Sequence, residues 1–257
     1  MRKTALITGA SGGIGLELAK VFAREGHELW LVARNASKLE EVKKEISAQY
    51  SVSVRPLVKD LAGPHAAREI FDELNKRGTA VDVLVNNAGA GSFGPFADTP
   101  LSKHEEVLCL NVLSLTQLSW LFLAPMRARK SGKILNVAST AAFQPGPLLA
   151  VYYASKAYVL HLSEALSHEL KDSGVTVTAL CPGPTRTGFQ KNANMAGSKL
   201  FKTAVMDARR VAEEGYRGLM RGSSVVIPGF RNKAIAASVR FAPRDFVTRV
   251  VKMVQEK

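Results

Sequence analysis

Short apolar runs alternate with stretches of helical periodicity along most of the chain. "TALITG" reads as a strand, and "GIGLELAKVFAREG" repeats its apolar residues with a helical period before stopping at Gly26. "HELWLVAR" reads as a second strand. Asn35 then stands where it can cap "ASKLEEVKKEISAQY", whose polar face is filled by lysines. "SVSVRPLVKDL" is a third strand, weakened at its edge by Pro56, which lacks a ladder donor. "HAAREIFDELNKRG" is helical and "VDVLVNNAG" is the fourth strand, followed by a long helix near residues 102 to 129. "KILNVAS", the helical "VYYASKAYVL", "VTVTALCPGP", a helix starting near Asp207 and "SSVVIPG" complete the alternation.

Such alternation predicts an α/β fold, a doubly wound Rossmann-like parallel sheet of about seven strands with helices on both faces. Ligands of such sheets bind beyond the carboxyl ends of the strands. The division expected is one domain over residues 1–229 and a basic amphipathic extension over 230–257.

Composition changes this picture little. The chain has 257 residues, 46% hydrophobic and 22% charged, which is ordinary for a globular protein. The opening "MRKTALITGA" has too short an apolar run for a signal peptide, and "LSLTQLSWLFLAPM" reads as a buried helix because Thr116 and Gln117 interrupt it. Cys109 and Cys181 make neither a disulfide framework nor a metal pattern, so core thiols in a cytoplasmic enzyme, with no metal, are expected. The net charge of +13 permits nucleic acid, an anionic membrane or an acidic partner. The basic residues are dispersed along helices without interleaved aromatics, which disfavours nucleic acid and reads as a solvated basic surface.

Two stretches carry chemistry. "TGASGGIG", Thr8 to Gly15, joins the first strand to its helix, with Gly9, Gly13 and Gly15 able to bring backbone amides close to a pyrophosphate at a helix N-terminus. Ser11 lies within the loop and Ile14 packs beneath it. "VYYASKAYVL" crowds three tyrosines against Lys156, and on a helix Tyr152 and Tyr153 can each reach it, whereas Tyr158 cannot. An ammonium about 4 Å from a phenol is worth about 4 kcal/mol at an effective dielectric of about 20, enough to bring a tyrosine toward the operating pH.

Together with "NNAG" (Asn86 to Gly89), Asn111 in "LNVLS", Ser139 in "NVAS" and "PGPTRT" (Pro182 to Thr187), these stretches resemble the compact, single-domain branch of the short-chain dehydrogenase/reductase family over residues 3 to 229. The resemblance implies a catalytic set of Asn111, Ser139, Tyr152 and Lys156; the family's serine-to-tyrosine spacing selects Tyr152, and Tyr153 then lines the pocket or packs. It implies that Lys156 holds the nicotinamide ribose and acidifies Tyr152, and that Asn111 holds a water leading to Lys156. Cofactor contacts are implied for Gly9, Ser11, Gly13, Ile14, Gly15, Asp60, Leu61, Asn87, Ala88, Gly89, Tyr152, Lys156, Pro182, Gly183, Thr185 and Thr187. Arg34 closes the second strand where an NAD enzyme usually carries a carboxylate, so NADP is favoured.

The expected function is NADPH-dependent, reversible reduction of a carbonyl on an apolar small molecule such as a 3-oxoacyl thioester or ketone. The alternative is a non-catalytic NADP-binding regulator, which need not retain all four catalytic residues. The resemblance makes residues 1–229 a single dinucleotide-binding catalytic domain with a variable substrate lid near 188–206. Phe93, Phe96, Phe189, Met195, Leu200 and Phe201 are candidates to line the substrate site, while His104, His161 and His168 read as surface or interface residues. Family members commonly form homodimers or homotetramers through the helices carrying Asn111 and Tyr152. In the tail, Val247, Val250, Val251 and Val254 form one apolar stripe, expected to pack on the body or a subunit interface; an anionic membrane or an acidic acyl carrier is the other reading.

Overall fold

The computed structural model describes residues 2–193 and 205–256. The apolar runs form seven parallel strands, β1 (Thr4–Thr8), β2 (Glu28–Ala33), β3 (Val54–Val58), β4 (Val83–Asn86), β5 (Gly132–Val137), β6 (Val175–Leu180) and β7 (Val225–Val226), ordered β3-β2-β1-β4-β5-β6-β7. Pro56 sits in edge strand β3 opposite Leu31, where a missing donor costs least. β7 is only two residues long, shorter than "SSVVIPG" predicts.

The helices are α1 (Gly13–Arg24), α2 (Ala36–Gln49), α3 (Ala66–Lys76), α4 (Leu101–Leu108), α5 (Leu115–Ala128), α6 (Ala150–Glu169), α7 (Phe189–Asn192), α8 (Ala208–Met220), α9 (Phe230–Ser238) and α10 (Arg244–Gln255). Asn35 and Asp207 cap α2 and α8, each side chain accepting backbone N–H bonds from the first turn. Alternation along the strands splits the core in two. Ile7, Leu31 and Val85 face Leu18, Phe22, Leu39, Ile46 and Val211, whereas Leu6, Trp30 and Leu84 face Ile70, Leu74, Leu118 and Phe122. Each such side chain contributes about 1.5–3 kcal/mol on burial, so both faces must be covered.

Residues Leu101–Ala128 run as one helix of 28 residues, long and apolar enough by length and composition to cross a membrane; here Leu118, Leu121, Phe122 and Met126 are buried in the core. The long helix expected near 102 to 129 is interrupted by a π-helical turn at Cys109–Ser114. The Ser114 hydroxyl donates to the carbonyl of Cys109, 2.9 Å away, and also to that of Leu61, tying the turn to the segment after β3.

The C-terminal residues are integrated with the body. Asn232 packs against Gly183, Ala236 and Val247 are buried, and the Gln255 amide donates to the Tyr153 hydroxyl at 2.6 Å. The apolar stripe of α10 divides: Val247 is 9% exposed, whereas Val250 and Val254 are 37% and 41% exposed.

His27 is buried edge-on between Phe22 and Tyr216, and burial lowers its pKa. As pH falls, the unfolded chain therefore takes up the proton first. Stability is full above the ordinary histidine pKa of about 6.5 and declines below it. Denaturation midpoints should fall between about pH 7 and 5 in the wild type and fall less in His27→Phe; parallel pH profiles would refute this assignment.

Candidate active site

Strand order reverses between β1 and β4, and the crevice beyond their carboxyl ends is built by backbone close approach. Gly9 has φ +65°, and a Cβ there would stand 2.8 Å from the Asn87 amide nitrogen and 2.9 Å from the Cα of Ala88. At Gly15, a Cβ would collide with the Gly9 carbonyl. The two segments are stitched together. Asn87 donates its side-chain amide to the carbonyls of Thr8 (2.9 Å) and Gly9 (3.2 Å), while the backbone N–H groups of Asn87 and Ala88 both donate to the Thr8 hydroxyl at 3.0 Å.

Helix α1 then starts without a side-chain cap and without an acidic residue in its first turn, so its N-terminal donors and positive dipole end suit an anion. Ser11 lies half-buried in this turn and Ile14 packs into the adjoining core. Thr187 lies against Gly13, and its hydroxyl accepts the N–H of Phe189 at 3.2 Å.

Arg34 follows β2 and is 62% exposed, with its guanidinium 3.9 Å from Asp60 and 3.6 Å from Glu106. Exposed pairs of this kind are worth about 0–1 kcal/mol, so a phosphate can displace them. Asp60 also accepts the N–H of Ala62 at 3.0 Å in a local turn, and Leu61 is buried. The glycine cradle, the bare helix terminus and the exposed arginine fit a phosphorylated dinucleotide.

Ser139 lies just past β5. Its hydroxyl accepts the N–H of Ala141 at 3.1 Å, donates toward the Pro182 carbonyl at 3.4 Å and lies near the Tyr152 phenol, whose pKa it lowers. On α6, Lys156 is 5% exposed; its ammonium donates to the Val137 carbonyl at 2.8 Å and lies 5.8 Å from the Tyr152 ring centre. Lysine acidification of the phenol is not seen in this arrangement. Burial pushes Tyr152 up to about 12, against the opposing influence of the nearby Ser139 hydroxyl, and pulls Lys156 down to about 8. Desolvation outweighs attraction here because the ammonium is turned toward a carbonyl.

Asn111, in the π-helical turn, accepts from the N–H of Ala90 at 2.8 Å and donates to the Ala90 carbonyl and the Ser155 hydroxyl, both at 2.9 Å. Its amide thus joins the loop after β4 to α6. A Cβ on Gly89 would lie 3.2 Å from Asn111 and 3.5 Å from Lys156, so this glycine borders both. Pro182 accepts the N–H of Thr140 at 2.9 Å, and Thr185 donates its hydroxyl to the Gly183 carbonyl at 2.9 Å.

An apolar cluster adjoins the phenol: Ala141, Leu149, Tyr153 and Ala193, with Phe93, Phe189 and Val251 packed on it. Phe189 tilts against Tyr152 at 5.4 Å between ring centres. Phe96 is elsewhere, 63% exposed and stacked on His104, which is buried rather than superficial. Met195, Leu200 and Phe201 of the expected lid lie outside the described residues. The sequence reading missed Gln255 as the partner of Tyr153, because the two are 102 residues apart and no local pattern links them. It also missed Leu148, which enters α6 with φ +65°, a conformation costing a non-glycine residue about 1–2 kcal/mol.

A family model described as short chain dehydrogenase matches residues 3–197. The chain is 36% identical over 193 residues to the very-long-chain 3-oxoacyl-CoA reductase of Anas platyrhynchos, a match covering 73% of this chain and 61% of that protein. It is 34% identical over 209 residues to the 17-beta-hydroxysteroid dehydrogenase type 3 of Mus musculus, covering 79% of this chain and 66% of that one. A solved short-chain dehydrogenase from Sphingobium yanoikuyae, in complex with NADPH, is 32% identical with a TM-score of 0.84, covering 93% of this chain and 94% of that chain.

The Tyr153–Gln255 bond predicts an energetic coupling. Gln255→Leu and Tyr153→Phe should each lower stability by about 1 kcal/mol, and the double variant by less than the sum. Urea denaturation of the four proteins measures this; strict additivity would mean that the bond does not anchor the tail.

Proposed function

Because the chain belongs to the short-chain dehydrogenase family, we propose that it is an NADPH-dependent reductase of apolar carbonyl compounds, working reversibly on 3-oxoacyl thioesters or bulky ketones. The observation that carries this reading is the placement of Tyr152 and buried Lys156 on one helix, the ammonium 5.8 Å from the phenol ring centre, beside Ser139 and an apolar cluster. NADPH, when bound, supplies the hydride; Gly9, Gly13, Gly15, Arg34 and Thr187 would hold its phosphates, with Ser11, Ile14, Asp60, Leu61, Asn87, Ala88, Gly89, Pro182, Gly183 and Thr185 framing the rest.

Tyr152 donates its phenolic proton to the substrate oxygen. With its pKa at about 12 the phenol is fully protonated at neutral pH, the state that a donor requires. Ser139 donates a hydrogen bond to the same oxygen as negative charge develops there. Lys156, with a pKa of about 8, is charged at neutral pH and serves the ribose hydroxyls; turned from Val137 toward Tyr152, its ammonium would favour the phenolate left after proton transfer. Asn111 positions α6 through Ala90 and Ser155.

The substrate class is supported by Phe93, Leu149, Phe189 and Val251 in the apolar cluster onto which Tyr152 packs, and by relatives named for a very-long-chain acyl thioester and a steroid. Exposed Leu108, Leu113, Trp120 and Tyr158 on the α4–α6 surface support self-association through that face.

Consumption of NADPH with a panel of 3-oxoacyl thioesters and bulky ketones tests the reading, and no turnover with any of them would reject it. Tyr152→Phe should cut turnover by about two or more orders of magnitude, while Tyr153→Phe retains substantial activity. Arg34→Asp should shift preference from NADPH toward NADH; equal wild-type affinities for the two cofactors would defeat the phosphate-clamp assignment.

A further inference from the structure

Helix α10 carries more apolar surface than the body covers. Its inner flank is occupied, with Val247 and Gln255 buried and Val251 packed into the cluster beside Tyr152. On its outer flank Phe246, Val250, Met253 and Val254 are 60%, 37%, 61% and 41% exposed, and Phe241, in the turn leading into the helix, is 89% exposed. At about 100° per residue, Phe246, Val250 and Met253 fall on one side, continuous through Val254 with the buried seam.

Residues 230–257 contain seven basic side chains (Arg231, Lys233, Arg240, Arg244, Arg249, Lys252 and Lys257) against Asp245 and Glu256, a net of +5. Arg249 pairs with Asp245 at 2.6 Å and Lys252 with Glu256 at 3.9 Å. Arg231, Lys233, Arg240 and Arg244 have no ion pair among the described residues.

We propose that the outer flank of α10 docks this protein peripherally on an anionic lipid membrane. Large apolar side chains on one side of a helix, with basic residues beside them, match the two-part attraction of an interfacial helix: apolar insertion and electrostatic pull toward acidic headgroups. A symmetric contact between two copies would bring two like-charged surfaces together, which disfavours a second copy as the occupant. An acidic carrier protein would satisfy the charge while leaving much of this apolar surface uncovered. Docking would also leave the apolar cluster onto which Val251 and Tyr152 both pack one helix away from the lipid. The docking itself does not rest on the proposed substrate class.

The full chain should cosediment with vesicles of about one part phosphatidylglycerol to two parts phosphatidylcholine, and at least about tenfold less with phosphatidylcholine alone. Phe246→Ser with Met253→Ser should weaken anionic binding at least about tenfold while leaving NADPH turnover of a water-soluble ketone unchanged. Arg240→Glu with Arg244→Glu, which spares the apolar face, should weaken binding and reduce its salt sensitivity. Failure of the wild type to sediment would overturn the proposal. So would undiminished binding by both double variants, a change of oligomeric state with lipid binding intact, or capture of an acidic acyl carrier protein without lipid binding. Vesicle binding is measured without cofactor or substrate, so its failure is distinguishable from failure of the reductase reading.

Discussion

The crevice depends on how closely the turn after β1 and the loop after β4 approach each other. Thr8 spends its hydroxyl on two backbone donors of the opposing loop, and its own O–H donates back to the Val85 carbonyl at 3.2 Å. Asn87 returns its amide to the carbonyls of the glycine turn. With these bonds made, there is no room for a Cβ at Gly9 or Gly15. The same loop continues to Ala90, which Asn111 clamps from the π-helical turn and so couples to α6. Deeper in the sheet, Asn86 donates to Asn136 at 2.9 Å and to Ser119 at 3.0 Å, and Asn136 donates to Ser163 at 2.9 Å. Polar side chains buried at such positions are tolerated because their donors are satisfied by one another.

Burial sets the electrostatics. Tyr152, Lys156 and Cys181 lie together at the carboxyl edge, and desolvation favours the neutral form of each, raising the phenol and the thiol to about 12 and lowering the lysine to about 8. The chamber thus holds a protonated phenol and a lysine poised closest to neutrality. A charge introduced next to them would have a large effect, because little solvent is present to screen it.

The C-terminal extension is more than an appendage. Through Asn232 it backs the segment at Gly183, through Val251 it supplies apolar surface beside the phenol, and through Gln255 it fixes Tyr153. One helix therefore presents an inner flank to the site and an outer apolar flank to the exterior.

Much of this was legible in the sequence. Strand alternation, the Asn35 cap, the helix start near Asp207 and the Pro56 edge position are local properties, set by side chains acting within a few residues. The family's serine-to-tyrosine spacing picks Tyr152, the residue whose phenol lies near Ser139, because helix geometry converts sequence register into direction. Other features lay beyond local pattern. The valine stripe of α10 reads as one face, yet only its inner side finds a partner, since where a stripe is covered depends on what packs there. The π-helical turn is bonded through Ser114 to Leu61, 53 residues earlier, and His104 is buried with the Phe96 ring stacked on it. Spacing put Lys156 within reach of Tyr152, but reach is not contact. The sequence determined the elements and the inventory of reactive groups; tertiary structure decided their solvation and partners, because both depend on atoms contributed by distant parts of the chain.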